Sequence, residues 1–178
     1  MATTLPNLTA TSAWALACLG EADAATERAD EAERLLQAAR AASRLAGNSW
    51  SYVWLCRAYV RLGRVADAAR GIVRVLEPRT TAAEAYAWYL RGEIGAVRPD
   101  RETPEACYAR AIDLANTVGL RPLAAHCHLG LGTVHGRAGR RDNARAELAI
   151  AIGMYREMGI AFWQSEAERE LGITSSPR

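Results

Sequence analysis

All three histidines of the chain, His126, His128 and His135, fall in PLAAHCHLGLGTVHGRAGRR (122–141), together with Cys127 and a run of glycines. Imidazoles beside a thiol suit metal binding or proton transfer, and glycine runs suit phosphate binding. The spacing argues against each. On a helix, His126 and His128 point roughly 200° apart, and His128 and His135 lie about 10.5 Å apart along the axis. A metal ion needs its donor atoms within roughly 2.0–2.3 Å, so neither pair grips one ion. Gly130, Gly132, Gly136 and Gly139 imitate a dinucleotide loop, but position 135 is His and no strand precedes the run. There is no GxSxG, and Ser49 and Ser51 lie far in sequence from the histidines. Glu21, Asp23 and Glu93 read as acids on helix faces. All 22 basic residues are Arg, which removes Schiff-base, general-base and P-loop lysines. No catalytic residue, metal site or cofactor is expected.

The elements that must carry these residues are helices. Half of the composition is hydrophobic, and AERLLQAARAASRLA and ARAELAIAIGMYREM are rich in good helix formers. Net charge is +2. The cluster Arg137, Arg140, Arg141 and Arg145 is diluted by Asp142 and Glu147 and lacks interleaved aromatics. Neither feature points to nucleic acid. Cys18, Cys56, Cys107 and Cys127 form no CxxC pair and read as reduced, buried small side chains. The first residues carry no basic-then-apolar leader pattern, and no apolar run is long enough for a membrane span, so the expectation is a cytoplasmic protein.

Four segments, 19–39, 55–75, 91–111 and 131–151, superpose without a gap. A small residue recurs at Gly20, Cys56, Gly92 and Gly132. Ala32, Ala68, Pro104 and Ala144 form a second series, and the bulky Leu36, Ile72, Tyr108 and Leu148 a third. Ala39, Val75, Ala111 and Ala151 form a fourth, and every series steps by 36, 36 and 40. The pattern is that of a helical hairpin. The small residue admits the second helix closely, and positions i, i+4 and i+7 of that helix make its apolar stripe. Gly63-Arg64, Pro99-Asp100 and Gly139-Arg140 read as turns, and Gly47, Gly119 and Gly159 as left-handed helix ends. Thr81 with Glu84 reads as a capping box, and Thr103-Pro104 as N-cap and N1. Ile160, Trp163, Ala167 and Leu171 share one face of a final helix whose other face is polar, as a capping helix requires.

These landmarks resemble the tetratricopeptide repeat. The second copy is the fullest, with Tyr52, Leu55, Tyr59, Ala68, Ile72 and Pro78. The third departs at Arg91 and Pro104, and the first at Asp23. The resemblance implies an all-α fold: a right-handed α-α superhelix of about four hairpins (about 13–48, 49–84, 85–124 and 125–158) and a capping helix at about 160–172, in one domain. AYAWYLRGEIGA and the stretch from CYARAIDLANTVGL to REMGIAFW are similar to the C-terminal repeats of bacterial signalling proteins that carry a STAND-type ATPase, a nucleotide cyclase or a transcription regulator. None of those catalytic parts lies in this sequence, so the resemblance implies a sensor or docking module.

Trp14, Trp50, Tyr86 and His126 also step by 36, 36 and 40. In the repeat that this chain resembles, this position lines a concave face, alongside Val53, Arg57, Arg61, Tyr89, Glu93 and Arg137. Two readings stand: a groove that stacks and anchors a protein or peptide partner, or the aromatic edge of the core between repeats. A signal-receptor domain for a small molecule or pheromone peptide, and an accessory subunit of an enzyme, are the alternative functions.

Overall fold

The computed structural model describes residues 31, 34, 35, 37–39, 41, 51–98 and 103–175. Every regular element among the described residues is a helix. Helix α1 is Ser51–Arg61, α2 Val65–Val75, α3 Thr81–Val97, α4 Pro104–Thr117, α5 Arg121–Arg137, α6 Arg141–Met158 and α7 Ala161–Ser175. The chain divides into two compact units, Met1–Ala83 and Glu84–Arg178. That division falls beside the repeat boundary at 84/85.

In the first unit α1 packs against α2. The stripe expected on α2 is buried: Ala68 at 0%, Ile72 at 8% and Val75 at 2% exposure. In the second unit α4 packs on α5, α5 on α6 and α6 on α7, and α5 also reaches α7. Ala144, Leu148 and Ala151 of α6 are fully buried. Ala167 is also fully buried, with Ile160, Trp163 and Leu171 packed around it against Ala125, Ala151, Ile152 and Tyr155. The apolar face expected of the last helix is thus the one it buries.

The small and bulky landmarks are each other's partners. A Cβ on Gly92 would lie 2.7 Å from Tyr108 Cε1, and one on Gly132 would lie 2.6 Å from Leu148 Cγ. Both pairs are sixteen residues apart in the sequence. The α1–α2 hairpin reverses the roles: Gly71 of the second helix gives way to Cys56, whose Sγ would lie 2.3 Å from an added Cβ.

The helix ends follow local chemistry. Thr103 accepts from the Ala106 N–H at 3.3 Å, with Pro104 at the first helical position. At α3 the expected cap shifts by one residue. Thr80, not Thr81, accepts from the Ala83 N–H, at 3.2 Å. Thr81 is therefore already helical, and Glu84 falls one place too late to close a capping box. Gly159 ends α6 at φ +69°, a conformation that costs glycine nothing. Gly47 and Pro99-Asp100 lie outside the described residues.

Candidate functional site

The histidines that crowd the sequence are dispersed by the fold. His128 reaches across to α6, where its Nδ1 lies 2.6 Å from Glu147 Oε2. His135 Nδ1 accepts from Arg140 Nε at 3.0 Å, and the same guanidinium pairs with Glu105 of α4. An arginine only donates, so Nδ1 is the accepting nitrogen of this contact. His126 turns another way: its Nδ1 is 2.7 Å from the Tyr155 hydroxyl. Among the described residues no group of three His, Cys, Asp or Glu side chains converges on a point. Cys56, Cys107 and Cys127 are buried thiols that form no disulfide among the described residues. Burial pushes the Cys56 thiol up to about 12, so it stays protonated and donates to the Ala68 carbonyl at 3.3 Å.

The imidazole of His126 is instead one member of an aromatic row. Its centroid is 6.2 Å from Tyr89 of α3, 5.5 Å from Tyr155 and 4.9 Å from Trp163 of α7, which it meets edge-on. Phe162 stands edge-on to Trp163 at 5.1 Å and is 65% exposed. The row thus runs from α3 through α5 to α7, one contribution from each alternate helix. Edge-to-face contacts at these separations are the favoured aromatic geometry.

A charged group lies at the α3 end of the row. Glu93 is one helical turn beyond Tyr89 and so shares its face. The Tyr108 hydroxyl donates to Glu93 Oε1 at 2.7 Å, and its ring lies 6.2 Å from Tyr89. Tyr108 is 1% exposed. Its ring is confined on two sides: an added Cβ on Gly130 of α5 would lie 2.5 Å from Tyr108 Cζ, closer still than one on Gly92. Burial, and after it the charge of Glu93, holds the phenol well above its ordinary value, so the group remains a donor throughout the neutral range.

No protein-family model, curated protein or solved structure matches this chain. The site therefore rests on its own geometry.

The residues singled out in the sequence take three kinds of place. Tyr86, Glu93 and His126 are half-buried, and Arg61 and Arg137 are exposed at the last turns of α1 and α5. Val53, Arg57 and Tyr89 are covered, at 2%, 3% and 2% exposure. None of these three contributes appreciable side-chain surface. Arg57 sits over the Trp54 ring at 5.2 Å. Trp14 and Trp50 lie outside the described residues. Within the second unit the fold brings Tyr89, Glu93 and His126 together.

Tyr108, Tyr155, Phe162 and Trp163 were not legible as site residues in the sequence. Tyr108 was legible only as the bulky core landmark and Trp163 only as the inner face of a capping helix. The usable signal for Tyr108 was its hydroxyl. Leu or Ile fills the same position in the other three copies, so a buried phenol there demands a polar partner.

Proposed function

We propose that this chain is a non-catalytic, tetratricopeptide-type helical scaffold that binds a protein or peptide in the cytoplasm. The partner lies along the face formed by α3, α5 and α7 of the second unit. One observation carries the reading: the half-buried His126 and Trp163 meet edge-on from alternate helices, backed by the covered Tyr89, with the half-buried Glu93 one helical turn beyond it. Rows of rigid aromatic side chains beside a charged anchor give stacking area and orientation at low entropic cost. The agreement between repeat landmarks and packing partners supports the solenoid part.

The receptor alternative finds weaker support. A pocket of about 160 Å³ opens between α1 and α2, lined by Tyr52, Tyr59, Asp67 and Arg70 among others. Sites for drug-sized ligands usually span roughly 300–1,000 Å³. An extended peptide on a surface needs no such cavity.

The test is selection of binders from a displayed library of random peptides. The wild type recovers a family of related peptides. The doubly substituted Tyr86→Ala/His126→Ala chain, confirmed as helical by circular dichroism, fails to bind them. Full binding by that folded variant rejects the face.

A further inference from the structure

We infer that Glu93 is a pre-oriented anchor for a cationic side chain, Arg or Lys, of the bound partner. The inference rests on the peptide-binding reading above and names the chemistry that it recognises. Tyr108 fixes one carboxylate oxygen at 2.7 Å, and the glycines at 92 and 130 fix Tyr108. The carboxylate is therefore held in one place before any partner arrives. Its charge is not explained by the needs of the fold. The hydroxyl needs an acceptor only, and a glutamine amide would serve it with a smaller desolvation cost. Among the described residues no cation pairs with Glu93. Arg91 is two residues away on the helix, on a different face, and its guanidinium is placed over the Trp88 ring at 4.6 Å.

What complements such a site is a cation. The second oxygen of Glu93 accepts an N–H from the guanidinium or ammonium. A half-buried carboxylate gives a stronger bond than a fully solvated one, because less water competes for it. A charge-assisted bond of this kind changes affinity by about tenfold or more when its charge is removed.

The experiment uses the whole chain and peptides selected against it from the random library. Selected peptides are expected to share an Arg or Lys at one position. Replacing that residue in a synthetic peptide by a neutral isostere (citrulline for Arg) weakens binding to the wild type by about tenfold, by the same reasoning. The Glu93→Gln chain keeps an acceptor for Tyr108, so it folds, and it binds the charged and neutral peptides equally. Tyr108→Phe leaves the charge but removes its positioning, and the charged-to-neutral ratio shrinks by about threefold. Binders that lack a shared basic residue overturn this inference and leave the groove intact. An isostere penalty of the same size in the wild type and in Glu93→Gln does likewise. Failure to recover any peptide overturns the groove and the anchor together.

Discussion

Two hairpin joints of the second unit use the same device for different ends. At α5–α6, Gly132 admits the branched end of Leu148, with the Ala144 carbonyl oxygen beside it. At α3–α4, Gly92 admits Tyr108, and Gly130 closes on the same ring. Leu148 ends in methyl groups, while Tyr108 ends in a hydroxyl that leaves the core and meets Glu93. The first joint only fastens two helices. The second fastens them and also transmits core rigidity to a charged group at the end of the aromatic row. One repeat position can therefore be pure architecture in one copy and hold a carboxylate in another.

The largest way to break this comparison is to empty each joint. Both side chains are at most 1% exposed. Leu148→Ala is expected to cost roughly 2–5 kcal/mol, and Tyr108→Ala roughly 3–5 kcal/mol by analogy with large aromatic truncations. Urea or guanidinium titrations measure both. A loss below about 1 kcal/mol at either position would show that its helices collapse into the gap and that the joint is not a fixed contact. Only the tyrosine substitution should also weaken partner binding in variants compared at equal folded fraction.

A smaller effect compares stiffness. Alanine at Gly130 or Gly132 gains helix propensity but brings a Cβ to 2.5 Å from Tyr108 or 2.6 Å from Leu148. Overpacking of this kind usually costs roughly 1–3 kcal/mol. A leucine can change rotamer to make room, and the other neighbour of that Cβ, the Ala144 carbonyl oxygen, lies farther off at 3.3 Å. The Tyr108 ring is held by Gly92 behind it and by Glu93 at its tip. Gly130→Ala should therefore lower the unfolding midpoint more than Gly132→Ala, and the reverse order would refute the idea that the tyrosine joint is the stiffer of the two.

The contrast also explains what the sequence could reveal. Repeat spacing exposed the joints themselves, because the Gly132–Leu148 and Gly92–Tyr108 contacts depend on side-chain volume, and volume is written in the residue type. The capping face of α7 was legible for the same reason. The aromatic row was half legible. His126 was found by its spacing, but the positions equivalent to Tyr155 are Ser43, Arg79 and Ala115, and Trp163 lies beyond the last repeat, so neither neighbour recurs. The burial of Tyr89, Val53 and Arg57 was not legible, since a repeat position says which way a side chain points and not what covers it. The cap of α3 was misplaced by one residue because Thr80 and Thr81 carry the same hydroxyl. Only the hydrogen bond to the Ala83 N–H separates them.

The smallest expected effect concerns a third joint, α1–α2, where glycine and partner exchange helices and the charge lies outside the contact. Asp67, in the first turn of α2, receives Arg64 Nε at 2.8 Å and Arg70 at 2.6 Å. Burial alone would raise its carboxyl, but hydrogen bonds and charge from Arg64 and then Arg70 outweigh it and hold the group below its ordinary value of 3.8. A lowered folded value means that the contribution is complete above the unfolded value and is lost as pH falls through the folded one. Arg70 is 68% exposed, so solvent screens much of the interaction. Asp67→Asn should cost a few tenths to ~1 kcal/mol at neutral pH, including the lost attraction to the helix N-terminus. The gap between variant and wild type should hold steady through mildly acidic pH and close only below the ordinary carboxyl range. Salt should narrow it at neutral pH. The Gly132–Leu148 joint contains no charge, so Leu148→Ala should show neither trend. A Leu148→Ala penalty that fell with pH alongside that of Asp67→Asn would mean that the two hairpins are not energetically separate.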